Sequence, residues 1–358
     1  MSVRAFNFSA GPAILPEAVL HKAQQDLLDI DESGVGILEH SHRGPEFDRI
    51  LAETEEVGRA VGNVPDNYRM LFLQGGASTQ FFMLPANFLG ADDTADHLVT
   101  GKWAKMASEE VDRWGRLHVA ASTEADKFSH LPDEIQWSDA PAYCHYTSNN
   151  TIYGIQHETI PDAPGPLVCD ASSDIYSRPW DISKHAMIYA SAQKNLGPSG
   201  TTVVIIRDDM LDRTVRDLPP MLRYATHAEK ESRYNTPPVF GIYLIGEVFK
   251  WIRDQGGLEA IEARNIHKAR LIYDVIDGSR FYTGMARTKD RSLMNVVFRT
   301  PSPELDEAFV AEAAEHRLVG LKGYRSVGGM RCSIYNAFPV EGCERLAEFM
   351  KEFERVNG

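Results

Sequence analysis

Between residues 16 and 210 the apolar positions follow two spacings in alternation. The stretch 16–30 opens on Pro16 and places Val19, Leu20, Ala23 and Leu27 near a 3.6-residue period, which predicts an amphipathic helix. Phe47, Ile50, Leu51, Val57 and Val61 form a second such stripe. Between helical lengths lie short continuous apolar runs at 70–73, 97–100, 117–121, 142–146, 167–170, 187–190 and 202–206. Runs rich in Val, Ile and Leu and separated by helices predict strands buried on both faces. The expected fold is therefore α/β: a mostly parallel seven-stranded sheet with helices on both sides.

The pattern changes after Pro237-Pro238. A long helix is predicted over Val239–Asp254, ending at Gly256-Gly257, and another over 258–276. Beyond it the chain reads as a smaller α+β unit, with strands at Asn295–Arg299 and 331–335 and helices at 304–316 and 341–356. The expected division is a large domain over 16–260 and a small one made of 1–15 and 261–358, with the turn at Gly11-Pro12 packing on the small domain.

Composition narrows the function classes. The chain has 358 residues, 43% hydrophobic and 25% charged, which suits a globular protein with a substantial core and argues against disorder. A net charge of -14 disfavours nucleic-acid backbones and anionic membranes as partners, but leaves room for a local cationic pocket. Cys144, Cys169, Cys332 and Cys343 show no CxxC spacing and no zinc pattern, so buried free thiols in a reducing compartment are expected and no metal. Met1-Ser2-Val3-Arg4-Ala5-Phe6 lacks the apolar core of a signal peptide, and no apolar run nears the roughly 18–20 residues that span a bilayer. Both point to the cytoplasm.

The chemistry concentrates at strand ends. In Tyr189-Ala-Ser-Ala-Gln-Lys194-Asn-Leu-Gly-Pro-Ser-Gly200 a lysine follows a strand, preceded by small residues and followed by a Gly/Pro turn. Strand ends of open α/β sheets are where ligands bind. A lysine buried there forms Schiff bases with carbonyls, as pyridoxal phosphate enzymes require; a solvated lysine is the plain alternative. That chemistry demands a carboxylate for the pyridine nitrogen, and Asp170 ends the apolar run before Ala171-Ser172-Ser173. Met70-Leu-Phe-Leu-Gln-Gly75-Gly-Ala-Ser78 gives a strand, a glycine turn and a helix starting near Ser78, where Ala77 and Ser78 would meet a phosphate; capping by Ser78 serves equally. Trp103 fits either a stacking partner or a core residue, and Thr151 either a ring contact or a turn threonine. His42 and Arg43 in one segment, and Arg325 and Arg331 around Gly328-Gly329 in another, offer cations for anionic substrates, with structural ion pairs as the alternative. The polar segment 223–238 reads as an exposed arm suited to a partner subunit.

Phe6-Asn-Phe-Ser-Ala-Gly-Pro-Ala, Ser41-His-Arg-Gly-Pro-Glu-Phe, Ala190-Ser-Ala-Gln-Lys-Asn-Leu-Gly-Pro-Ser-Gly, Tyr234-Asn-Thr-Pro-Pro and Arg325-Ser-Val-Gly-Gly-Met-Arg-Cys-Ser-Ile-Tyr-Asn-Ala run from one end of the chain to the other. Together they resemble the phosphoserine aminotransferases, in the class V branch of the fold-type I pyridoxal phosphate enzymes. The resemblance implies a homodimer with sites at the subunit interface. It implies pyridoxal 5'-phosphate in a covalent Schiff base on Lys194, Asp170 on the pyridine nitrogen, Trp103 on the ring and Thr151 on its hydroxyl side. Gln193, Ala77 and Ser78 would hold the phosphate, with Asn235 and Thr236 reaching it from the other subunit. His42, Arg43 and Arg325 would surround the distal anion of the substrate, and Arg331 would take the α-carboxylate.

The implied reaction is 3-phosphooxypyruvate plus L-glutamate giving O-phospho-L-serine plus 2-oxoglutarate, a step of serine biosynthesis, with 4-phosphooxy-L-threonine as a further product in pyridoxine biosynthesis. Lys194, once displaced, would serve as the base at Cα. Two departures from the family stand out: Tyr324 where many relatives have histidine, and Ala10 where some have serine. The alternatives are another class V aminotransferase or a lyase acting on a small anionic amino acid, a non-catalytic chain of the same fold, and a nucleotide-binding oxidoreductase. A desulfurase-like lyase lacks an obvious catalytic thiol, and Gly75-Gly76 is not a GxGxxG turn.

Overall fold

A computed structural model describes residues 4–358; Met1, Ser2 and Val3, the start of the segment read for a leader, lie outside the described residues. In chain order, strand β1 (Phe6–Asn7) precedes helices α1 (Glu17–Asp26) and α2 (Pro45–Gly62). Next come β2 (Tyr68–Gln74), α3 (Gly76–Phe88), β3 (Thr94–Val99), α4 (Lys102–Glu109) and β4 (Arg116–Ser122). They are followed by β5 (Tyr143–Thr147), the hairpin strands β6 (Asn149–Asn150) and β7 (Ile155–Gln156), β8 (Leu167–Asp170), β9 (Met187–Ser191) and β10 (Thr201–Arg207). Helices α5 (Asp208–Leu211), α6 (Tyr224–Glu229), α7 (Val239–Asp254) and α8 (Gly257–Gly278) lead to β11 (Thr283–Gly284), β12 (Asn295–Arg299), α9 (Pro303–Glu315), β13 (Leu318–Val319), β14 (Met330–Ser333) and α10 (Val340–Asn357).

All seven apolar runs become strands of one sheet, ordered β2-β10-β9-β8-β5-β3-β4. Every pairing is parallel except those of β10, which runs against both β2 and β9. Side chains alternate between two buried layers, as the two-residue period of a strand requires. On β8, Leu167 and Cys169 face the cluster formed with α1, α2 and α7, whereas Val168 faces the cluster formed with α3, α4 and α6. With both faces covered, the polar ends of the strands are the places left for chemistry.

A separate apolar cluster gathers Ile272, Phe298, Phe309, Leu346 and Phe353 from the C-terminal elements with Phe8, the residue after β1. β1 pairs in parallel with β13, Phe6 opposite Leu318, so these residues lie against the C-terminal part, whereas Gly11, in the turn expected to pack there, lies against Lys194 instead.

The segment 223–238 differs from the expected exposed arm. Tyr224 is fully buried, stacks on Phe88 with ring centroids 5.5 Å apart, and donates its hydroxyl to Gln80 Oε1 at 2.6 Å. Ser232 Oγ accepts the Phe72 backbone N–H at 2.9 Å, so the segment covers part of edge strand β2. A tyrosine among polar residues gives no periodic signal, which is why the anchor is invisible in the sequence. Glu229, Lys230 and Glu231 in its middle and Tyr234 and Thr236 toward its far end are exposed.

Helices α2 and α7 meet at Gly58. A Cβ there would stand 2.6 Å from Phe249 Cε2. Phe249 is fully buried against Tyr176 at 4.7 Å between centroids, and Tyr176 donates its hydroxyl to Gly58 O, so the ring has little room to yield. Alanine gains about 0.5–1 kcal/mol in helix propensity over glycine, whereas overpacking costs about 1–3 kcal/mol. Gly58→Ala is therefore expected to lower stability on balance, seen as a reduced urea midpoint; a raised midpoint would show that the ring relaxes freely.

Candidate active site

The parallel strands deliver their C-terminal ends to one edge of the sheet, and a cavity of about 430 Å³ opens there. Asp170 is the last residue of β8, registered against Thr147 on one side and Tyr189 on the other. It is 4% exposed. Its Oδ1 accepts the Ser172 N–H at 3.0 Å, which fixes the carboxylate. Burial pushes its pKa up; the Ser172 contact and the Lys194 charge pull the other way.

Lys194 follows β9 in a loop closed on itself. Leu196 N and Gly197 N both donate to Ala192 O, at 3.0 and 2.9 Å, and Ala192 N donates to Thr201 O of β10 at 2.9 Å. Ala13 N donates to Gln193 O at 2.8 Å, which lays the N-terminal segment across this loop. Gly11 packs on the lysine stem: a Cβ at that position would lie 3.5 Å from Lys194 Cγ. Burial pushes the Lys194 amine below its ordinary value; Asp170 opposes this and the Arg331 charge reinforces it. A lowered pKa raises the fraction of neutral, nucleophilic amine at a given pH.

At the end of β2 the chain turns through two left-handed glycines, Gly75 with φ 94° and Gly76 with φ 67°. A Cβ on Gly75 would meet Thr79 Oγ1 at 1.9 Å, so glycine is required there. Helix α3 starts at Gly76 rather than near Ser78, and Ser78 is exposed without forming a cap. The Ala77 N–H donates to Ser191 Oγ at 2.7 Å, and Ser191 N donates to Ser172 Oγ at 3.1 Å. A line of serines thus joins the ends of β8 and β9 to the start of α3.

Trp103 sits in the first turn of α4, and Thr151 is buried in the turn between β6 and β7. Arg331, on β14, brings its guanidinium 3.5 Å from Thr151 O and 6.0 Å from the Tyr324 ring centroid. Burial lowers its pKa. Among the described residues no carboxylate pairs with it, so it stands as an uncompensated cation beside the cavity.

Lys194, Asp170, Gln193, Ala77, Ser78, Trp103, Thr151 and Arg331 all line this one cavity. His42 and Thr236 do not; they share another cavity of about 500 Å³ with Pro198 and Ser199, beyond the Lys194 loop. Arg43 and Arg325 are exposed, and Asn235 Nδ2 donates to Thr236 O at 3.2 Å. Thr147, Asn149, Ser172, Ser191 and Tyr324 also line the main cavity. The sequence reading assigned none of these a contact. Their signal was position: each of the first four stands at or just past the end of a predicted strand. Lys102, whose Nζ lies 2.7 Å from Tyr324 Oη, was passed over as well.

The cavity fits pyridoxal 5'-phosphate on the chemistry of its donors. A buried carboxylate and a buried amine of lowered pKa face the same space, with a glycine turn and a helix start beside them. Thr147 Oγ1 and Trp103 Nε1 are buried with no hydrogen-bond partner in the chain. Among the described residues no cluster of His, Cys, Asp or Glu is arranged to hold a metal, and no helix is long and apolar enough to cross a membrane.

The model of the aminotransferase class-V family matches residues 5–346. The phosphoserine aminotransferase of Desulfotalea psychrophila is 52% identical over 359 residues, covering 100% of this chain and 99% of its own. Among solved structures, phosphoserine aminotransferase from Bacillus circulans subsp. alkalophilus has a TM-score of 0.98 at 50% identity, with 100% of both chains covered. The pyridoxal-phosphate-bound phosphoserine aminotransferase of Trichomonas vaginalis has a TM-score of 0.93 at 39% identity, covering 97% of this chain and 100% of that one. The fold, the cavity and these likenesses agree: the chain belongs to the class-V aminotransferase family, in its phosphoserine aminotransferase branch.

Proposed function

We propose that this chain is a pyridoxal-phosphate-dependent aminotransferase that converts 3-phosphooxypyruvate and L-glutamate into O-phospho-L-serine and 2-oxoglutarate. The observation that carries the reading is the meeting of Lys194, Asp170 and an unpaired Arg331 in one cavity. When bound, the cofactor supplies an aldehyde that condenses with amines and a conjugated ring that draws electrons from Cα. Lys194 would hold it, and the same ε-amine, once released, would take the proton from Cα of the amino donor in one half-reaction and deliver one to Cα of the keto acid in the other. Asp170, fixed by the Ser172 amide, keeps a proton at the ring nitrogen. Trp103 forms a flat wall, Thr151 and Gln193 line the rim, and Ala77 and Ser78 stand at the helix start where a phosphate is favoured. Arg331 offers a planar fork to the α-carboxylate common to both substrates.

The reading extends to a homodimer. His42 and Thr236 line a cavity separate from the one with Lys194, and Asn235 and Arg43 line neither. In this proposal a second copy presents Asn235 and Thr236 to the cofactor phosphate, and His42 and Arg43 to the distal anion, where Arg325 joins them. The division at about residue 260 belongs to the same proposal, supported by the separate C-terminal apolar cluster. So does a cytoplasmic setting, supported by four buried free thiols. Burial pushes Cys144 and Cys343 up to about 12 and raises Cys169 and Cys332 further from reactivity, which argues against a thiol-dependent lyase.

Three outcomes are expected. Lys194→Ala abolishes turnover and the visible-edge absorbance of covalently held cofactor; retained transamination would sink the assignment. Arg331→Leu weakens both half-reactions by about tenfold or more, the scale of a lost charge-assisted hydrogen bond, in stopped-flow measurements with glutamate and with the keto acid separately. An effect on one half-reaction alone would contradict a shared α-carboxylate contact. Mixing Lys194→Ala with the Asn235→Ala, Thr236→Ala double variant restores activity to roughly a quarter of wild type, since half the dimers are mixed and each has one complete site. No recovery on mixing would mean that the sites are not shared.

A further inference from the structure

The loop that follows β8 offers three successive backbone carbonyls to three asparagines. Ile175 O accepts from Asn195 Nδ2 at 3.1 Å, Tyr176 O from Asn336 Nδ2 at 2.8 Å, and Ser177 O from Asn265 Nδ2 at 3.1 Å. The asparagines also bind one another. Asn195 Oδ1 accepts the Asn336 N–H at 3.0 Å, and Asn336 Oδ1 accepts from Asn265 Nδ2 at 2.9 Å. None of the three is more than 5% exposed. A carboxamide carries donors and an acceptor together, so it can bridge separate chain segments much as a peptide group does. Buried and joined in this way, the three act as one network and not as three local contacts.

Each asparagine belongs to a segment that carries or supports a site residue. Asn195 follows Lys194 directly. The three carbonyls lie shortly past Asp170, in a turn closed on Ala171 O by Asp174 N and Ile175 N at 3.2 and 2.9 Å. Within that turn Tyr176 adopts a left-handed φ of 56°, which a bulky residue keeps only where its surroundings impose it. Asn336 continues the chain of β14, the strand of Arg331. Asn265 lies on α8 between Ile261, which packs in the apolar cluster of the sheet, and Ala269, which packs in the C-terminal one. Nearly one turn on, Lys268 is fully buried and donates to Ile334 O at 2.9 Å and to Tyr335 O at 2.6 Å. Helix α8 thus grips the residues after β14 from one side, and Asn195 holds them from the other.

We propose that Asn336 is a positioning residue which, with Asn195 and Asn265 as its partners, fixes Arg331 relative to Lys194 and Asp170. The proposal rests on the transaminase reading above. The neighbours of Arg331 on β14, Met330 and Cys332, pack in the C-terminal cluster, whereas Lys194 and Asp170 belong to the edge of the central sheet. A substrate held at Arg331 by its carboxylate presents Cα to the lysine amine only while those two bodies keep one separation and orientation. The α-carboxylate is common to both substrates, so the network acts on both alike.

Wild type is compared with Asn336→Ala, Asn265→Ala, Asn195→Ala and, as a control for lost stability alone, Gly58→Ala, all as cofactor-loaded enzymes. Asn336→Ala is expected to lower kcat/KM for glutamate and for 3-phosphooxypyruvate by a similar factor on the order of tenfold, the scale of a buried hydrogen bond. Binding of glutarate, a dicarboxylate without an amino group, should weaken to the same extent in calorimetry. The absorbance of covalently held cofactor should stay at the wild-type level, because Asn195 still ties the Lys194 loop to Ile175 O. Asn195→Ala cuts that tie as well, and should also weaken cofactor binding when the cofactor-free protein is titrated. Gly58→Ala should lower the melting temperature and leave kcat/KM and glutarate binding near wild type. An Asn336→Ala variant that melts lower but keeps both values would overturn the proposal, as would a loss confined to one substrate. If Asn336→Ala fails to fold, Asn265→Ala, which leaves Asn336 bound to Tyr176 O and Asn195, decides by the same readouts. A wild-type chain that binds glutarate but does not transaminate would overturn the function proposed above; weaker glutarate binding by Asn336→Ala would then still uphold this inference.

Discussion

The central sheet must be covered on both faces, and that requirement governs everything else in the molecule. Along β8 and β9 nearly every side chain is apolar and enclosed, Leu167 and Cys169 toward one helical layer, Val168 and Tyr189 toward the other. Such strands have no room for a charged group until they end. Asp170 appears at the last position of β8 and Lys194 three residues past the end of β9. The parallel pairing of the sheet brings those ends to the same edge. Position in the strand, more than the identity of the neighbours, makes the pair.

Charges removed from water are costly unless they are matched. Asp170 and Lys194 offset one another, and burial moves both toward neutrality. Arg331 has no such partner. Its guanidinium leans on Tyr324 and on a single carbonyl at the limit of hydrogen-bond length. In the function proposed above, a carboxylate substrate supplies the missing counter-charge, and binding energy comes from completing the pair.

Much of this was legible in the sequence, and the reasons are specific. The seven apolar runs lacked the polar alternation of half-exposed strands, and all seven lie in the central sheet. The lysine and aspartate were readable because each follows an apolar run directly. Contacts between distant segments were not readable. Lys102 and Tyr324 meet across the fold with no periodicity to announce it, and Tyr224 anchors what composition alone presents as a solvated arm. Ser78 looked like a cap, but the helix begins two residues earlier because Gly75 and Gly76 make the turn with left-handed backbone. His42 and Thr236 share a motif-level signal with the main site and yet line a different cavity.

The reversal of β10 has a mechanical meaning. Because β10 runs back beside β9, with Thr202 opposite Ser191, the loop that carries Lys194 is pinned at both ends to neighbouring strands. Its interior is tied down by the two amides that converge on Ala192 O. The backbone at Lys194 is a fixed pivot, and the four methylenes of its side chain are the lever. In the proposed mechanism an amine that holds a ligand at one moment and reaches a neighbouring carbon at the next moves by changing side-chain rotamer while the loop stays in place.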